Sequence, residues 1–283
     1  VKLSGYFALY SIILQLSILN ISPTAHAETL LLVADEWCPY NCDPDSANPG
    51  FMVEITQRVF QKEGHTVKYL SMPWSRAVTT VRSGLAHGLI GVNSEETPDL
   101  IYPEIEQGLS IMAFYTRKEI AWFYTGLKSL DLVTIGAIKH YSYGEPVDQY
   151  IKDHSHNSSK VELLSTNGAL KLNIKKLLAG RITVIPEDRW VFRHVVGSFP
   201  QAHRLKEVGV ISRKPHFIAF SPKLVNANLY ARILTEGTQQ LREQGALKKI
   251  LKKYDMKDWR PDQPSIPPKK IKPSASFQPS RRK

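Results

Sequence analysis

The chain has 283 residues, 42% of them apolar, enough for one large or two medium domains with substantial cores. Its formal charge of +11 is not a nucleic-acid footprint. Residues 257–283 carry eight Lys/Arg against two Asp, Lys2 adds one more, and the remainder is left at an unexceptional +4. Two cysteines without nearby histidines make a poor zinc site, and neither a metal nor a cofactor is expected.

In chain order, the first 27 residues read as a signal peptide: Lys2, an apolar run through Ile21, and "AHA" at 25–27. Cleavage is expected after Ala27, which exports the protein to the periplasm. The apolar run "LLLV" at 30–33 leads into the octet "DEWCPYNC", which holds the whole cysteine complement. In an oxidising compartment Cys38 and Cys42 are expected to pair. "GFMVEITQRVFQKEG" places Met52, Ile55, Val59 and Phe60 on one helical face, and Gly64 suits its end. "HTVKYLS" reads as a strand. "WSRAVTTVRSG" is a second helix with Trp74, Ala77, Val78 and Val81 inward, and "HGLIGV" is a buried strand. This β-α-β-α-β order predicts a parallel sheet covered by helices.

A second series follows: strand "LVTIGAI", helix "YGEPVDQYIKDH", strand "KVELLS", helix "TNGALKLNIKKLLAG", strand "RITVIPE", helix "DRWVFRHVVG" and strand "HFIAFS". A helical stretch from Leu224 to Lys253 is expected to break near Gly237 or Gly245. Residues 257–283, rich in Pro, Ser and base, read as a disordered, solvated tail. Nothing in its sequence beyond charge supports contact with an anionic membrane surface or cell-wall polymer.

The ordered signals "W-C-P-Y", "G-F-M-V-E-I", "P-W-S-R-A", "LLAGRITVIPED" and "HFIAFSPK" with "LREQGALKKILKKYDM" resemble type II periplasmic solute-binding proteins. The group is that of the polar amino-acid ABC-transporter proteins, extracellular solute-binding protein family 3. The resemblance covers about 28–256. It implies a two-lobed α/β fold with two hinge crossings, near Gln107–Gly108 and Ser212–His216. Lobe 1 would comprise 28–108 and 214–256, lobe 2 would comprise 109–213, and a small polar, amino-acid-like ligand would be held in the cleft. It further implies a monomer that delivers its ligand to an inner-membrane permease or a sensor.

Candidate ligand-binding residues sit where strands end and helices begin. Trp37 and Tyr40 offer an aromatic wall rigidified by the cysteines. Trp74 and Arg76 stand at a strand–helix junction, where the guanidinium suits a carboxylate or phosphate. Asn93 ends the third strand. Ser142, Tyr143 and Thr166 lie at two helix starts, where they serve an anionic group or act as ordinary caps. The resemblance also implies an acid that meets a ligand amine, either Glu187 or Asp188. One departure stands against these agreements: the family's carboxylate-clamping arginine is missing. Residues 93–116 contain no Lys or Arg and instead hold Glu95, Glu96, Asp99, Glu104 and Glu106. Losing such a charge-assisted pair costs roughly 1.5–3 kcal/mol, which argues against an ordinary α-amino acid.

The expectation is therefore a binding module and not an enzyme, since no G-x-S-x-G, H-E-x-x-H or Gly-rich phosphate loop is present. Two other classes stay open: an enzyme on the same scaffold, dehydratase-like or wall-lytic, and an interaction module without a ligand.

Overall fold

The computed structural model describes residues 27–139, 141–166 and 168–260. The expected signal segment up to His26 and the tail from Pro261 onward lie outside the described residues. The chain packs as two compact units. One holds the residues up to Glu104 together with His216–Leu234. The other holds Ile105–Pro215 together with the residues from Thr235 onward.

In the first unit, β1 (Thr29–Ala34) runs parallel to β2 (Thr66–Ser71), with Thr29 opposite Thr66, and parallel to β3 (Gly88–Val92), with Leu32 opposite Gly88. The end of β8 (Leu205–Phe220) closes this part of the sheet antiparallel to β3, with Gly88 opposite Phe220. Helix α1 (Phe51–Lys62) buries Met52, Ile55, Val59 and Phe60, the face its periodicity predicts. Helix α2 (Trp74–Arg82) buries Ala77 and Val81 against Val33, Leu89 and Val92. Both helices connect parallel strands, so the C-terminal ends of β1, β2 and β3 lie along one edge of the sheet.

In the second unit, β4 (Gly108–Arg117) lies between β8 and β7 (Ile185–Asp188) and pairs antiparallel with β7, Met112 opposite Asp188. Strands β5 (Ile135–Ile138) and β6 (Val161–Leu164) are parallel, and a bridge joins Ile135 to Val184 just ahead of β7. Helix α3 is a single turn, Leu127–Leu130. Helices α4 (Val147–Asp153), α5 (Ala169–Leu178) and α6 (Arg189–Val196) follow the expected order. A short 3-10 turn at Ala202–Arg204 precedes β8. Phe114, Trp122, Tyr143 and Val184 fill one core of this unit, and Tyr115, Ile174, Leu177 and Phe192 fill another.

Helix α7 (Ala227–Glu243) passes Gly237 without a break, and Gly245, in the left-handed region, separates it from α8 (Ala246–Lys253). One boundary differs from expectation. Residues from Thr235 onward pack with the second unit, whereas 214–256 had been expected in the first lobe. The cause is a set of polar ties within the second unit. Gln107 Nε2 donates to Thr238 Oγ1 at 3.3 Å, and Trp259 Nε1 donates to the buried Glu106 at 2.8 Å. Of the residues expected in the tail, Lys257–Arg260 are described, and Trp259 and Arg260 bind Glu106.

Candidate functional site

At the end of β1 the octet folds into a tight turn. Trp37 N donates to Asn41 O (2.8 Å), Tyr40 N donates to Trp37 O (2.9 Å), and a disulfide joins Cys38 to Cys42. The loop also caps the next helix. Pro39 O accepts from Phe51 N, and Tyr40 O accepts from Met52 N, both at 3.0 Å. No side chain caps α1, so these carbonyls satisfy amides the helix itself leaves unpaired. Gly50 permits the approach: its φ is +111°, and a Cβ there would stand 2.4 Å from Asn41 Cα.

Trp37 is half-buried. Its ring stacks on Tyr40 at 3.9 Å and meets His216 edge-on at 4.9 Å. Tyr40 has no exposed surface and leans on Phe51. Of the expected aromatic wall, only Trp37 has a face to offer, and Tyr40 backs it. Sequence reasoning passed over the groups around this ring. Gly91 has a φ of +80°, and a Cβ on it would stand 3.5 Å from Asn41 Oδ1 and 3.6 Å from the Trp37 ring. Asn41 is buried. Its Nδ2 donates to the Tyr69 hydroxyl (3.2 Å) and to the Asp35 carbonyl, while its Oδ1 has no hydrogen-bond partner among the described residues. His216 Nδ1 donates to Gly91 O at 2.9 Å. Burial pushes the Asp35 carboxyl up to about 6. Asp35 and Asn41 stand in the octet itself, where neither was singled out. His216, distant in sequence, gave no signal.

The other first-unit candidates are placed less centrally. Trp74 is half-buried on the Ala77–Val81 face of α2, and Arg76 is exposed. Asn93 is buried and shapes the turn after β3, where its Oδ1 accepts from Glu95 N (3.0 Å) and Glu96 N (3.1 Å). Asp99 binds the Arg82 guanidinium through both oxygens, at 2.8 and 2.7 Å, on the surface.

In the second unit the start of α4 is already occupied. Asp148, the second residue of α4, accepts from the Tyr143 amide (2.7 Å), the Gly144 amide (3.1 Å) and the Ser142 hydroxyl (2.7 Å). These donors therefore serve a cap, as the plainer reading held. Tyr143 is buried, and its hydroxyl accepts from Ile138 N at 2.8 Å. Thr166 is exposed and is not the cap of α5; that position belongs to Gly168, with no side-chain cap bond.

The two acids ending β7 divide sharply. Asp188 Oδ1 accepts from Trp190 N (2.9 Å) and Val191 N (3.1 Å), capping α6, while its Oδ2 accepts from Ile111 N (2.9 Å) on β4. Glu187 is equally buried, but only its Oε1 is engaged, by Asp188 N at 2.9 Å. Its Oε2 has no hydrogen-bond partner among the described residues. Burial, with a smaller contribution from the Asp188 charge, pushes Glu187 up to about 8. Burial therefore favours the protonated, neutral form of Glu187 at neutral pH.

No protein-family model and no curated protein sequence matches this chain. Solved structures do. A structure from a study of glutathione import through GshT and the cystine ABC importer TcyBC of Streptococcus mutans is 16% identical, with a TM-score of 0.64 over 81% of this chain and 95% of that one. A histidine kinase sensor domain with similarity to periplasmic binding proteins is 19% identical, with a TM-score of 0.61 over 80% and 95%. An ancestral arginine-binding protein bound to arginine is 19% identical, with a TM-score of 0.58 over 80% and 97%. The chain has the α/β fold of the type II periplasmic binding proteins.

Proposed function

We propose that this chain is a periplasmic solute-binding module for a small polar ligand bearing an amine, feeding a membrane transporter or a membrane sensor. The observation that carries the reading is Glu187. A wholly buried carboxyl with one empty oxygen destabilises the fold and has no evident structural task, while its neighbour Asp188 performs both the capping and the strand tie. An ammonium or guanidinium supplies both the missing donor and the compensating charge. In the first unit, the half-buried Trp37 ring and the unpartnered Asn41 Oδ1 both lie near Gly91, which also suits a cationic group. The absence of Lys and Arg from 93–116 disfavours a ligand whose recognition depends on an α-carboxylate clamp. The solved structures named above include both an importer study and a sensor domain, which is why both partners stand.

The test is a thermal-shift screen of the mature protein against amino acids, their decarboxylated amines, diamines and guanidino compounds. A ligand at about 100 times its dissociation constant adds roughly 2.7 kcal/mol. The expected hits carry an amine or guanidinium, and Arg76→Ala leaves their shifts unchanged where the ligand has no anionic group. A panel in which only sugars or carboxylic acids shift the protein contradicts the ligand class.

A further inference from the structure

We propose that His65 and His87 form an acid-sensitive clasp on the start of β1, closed at neutral pH and opened when the imidazoles take up a second proton. Each histidine stands immediately before a strand that flanks β1, His65 before β2 and His87 before β3. Each uses its side chain where the ladder runs out. The register of β1 with β3 begins at Leu32, opposite Gly88, yet Leu31 is still paired on that side. Its carbonyl accepts from His87 N at 2.8 Å, and its amide donates to His87 Nδ1 at 3.0 Å. The register with β2 begins at Thr29, opposite Thr66. Just before it, the Glu28 carbonyl accepts from Thr66 N at 2.8 Å, and the Glu28 nitrogen donates to His65 Nδ1 at 3.3 Å. Two ring nitrogens thus stand in for strand carbonyls. A backbone amide can only donate, so neither Nδ1 carries a proton in this arrangement.

The groups that face these rings come from three elements of the first unit. Helix α7 contributes Tyr230, whose ring lies 6.2 Å from that of His65 and 6.3 Å from that of His87. Its hydroxyl donates to the Glu28 carboxylate, and burial followed by that bond pushes the phenol above its ordinary value, so it stays neutral. Helix α1 contributes Phe60, edge-on to His65 at 6.0 Å. Strand β1 is preceded by Glu28, whose charge acts on His87. Burial pushes His87 below its ordinary value, and the Glu28 charge opposes that shift. A strand carbonyl does not titrate in this range, but an imidazole does. A proton on Nδ1 turns the acceptor into a donor, sets N–H against N–H, and leaves the imidazolium to the nearby Glu28 carboxylate. Cleavage after Ala27 would make the Glu28 nitrogen an α-ammonium, which still donates to His65 Nδ1. The folded state of His87 binds fewer protons than the unfolded chain does near the ordinary value of 6.5, so the clasp holds above that pH and is lost as pH falls below it. The direction is opposite to that of Glu187. Leu32 and Val33 remain paired with both β2 and β3, which confines the opening to residues 28–31.

The experiment follows amide exchange and ring nitrogen shifts of the mature protein by NMR between about pH 7.5 and about pH 5. Corrected for intrinsic exchange, the protection of Leu31 should fall roughly ten-fold, the worth of one hydrogen bond, with the midpoint of the His87 ring titration. Val33, inside the ladder, should keep its protection. His87→Asn places an amide oxygen where Nδ1 stood, so it should retain the Leu31 protection and lose its pH dependence. Leu31 protection that ignores pH, the same pH dependence in His87→Asn, or rings protonated at Nδ1 at neutral pH would each overturn the clasp. The wild-type ring shifts decide the matter even where the variant fails to fold, and no solute takes part in the readout.

Discussion

Glu187 and Asp188 are adjacent in sequence and equally buried, yet they predict opposite mutational outcomes. Asp188→Ala leaves two α6 amides and the Ile111 amide unpaired and should destabilise the protein by roughly 2–3 kcal/mol, read by chemical denaturation. Glu187→Gln should stabilise it at pH 8, on the order of 4 kcal/mol. The sign follows from proton counting. The folded pKa, about 8, lies above the unfolded value near 4.5, so between them the folded state holds a proton that the unfolded state has released. Wild-type stability therefore falls as pH rises through this window, and the difference between wild type and Glu187→Gln should vanish below it. Asp35, raised to about 6, acts with the same sign in a narrower window. The sequence left open which of 187 and 188 is the exceptional acid. That depends on which amides lie within reach of each carboxylate, and both a helix start and a strand 77 residues away supply them.

At the scale of elements, the octet after β1 links a covalent constraint to a helix cap and a ring face. Closing so short a loop stabilises by about 2 kcal/mol on the chain-entropy argument. Cys38→Ser with Cys42→Ser should lose about that much, and more if the Pro39 and Tyr40 carbonyls drift from the α1 amides. Reduction of the wild type should reproduce the loss in a denaturant titration. A larger effect is expected from Gly50→Ala, because a Cβ meets backbone that cannot yield. The helices were legible because apolar residues recur at helical spacing, as Met52, Ile55, Val59 and Phe60 do. Strand β4 and the first half of β8 were not singled out. The run "GLSIMAFYTR" is buried on both faces for much of its length and shows no clean alternation, while "LKEVGVISRKP" mixes charge into half-exposed positions. The helix-start candidates Ser142, Tyr143 and Thr166 show the limit of motif reading. Spacing finds a helix start, but only coordinates show that Asp148 already fills one of them.

For the whole molecule, the fold class followed from the order of strands and helices, because a parallel sheet with covering helices is the arrangement that such an order permits. The destination of the last helices did not, since one amphipathic face packs equally well on many surfaces. It took Glu106, Gln107 and Thr238 to show that the residues after Thr235 belong with the second unit. The central claim, that an amine-bearing solute is bound at the expense of the Glu187 proton, has a direct measurement. Calorimetric titration of a screening hit near pH 7, in two buffers of different ionisation enthalpy, counts the protons released on binding. The account predicts release approaching one proton, affinity rising by up to about ten-fold per pH unit below pH 8, and neither effect in Glu187→Gln. Tight binding with no proton released, and unchanged in Glu187→Gln, would contradict it.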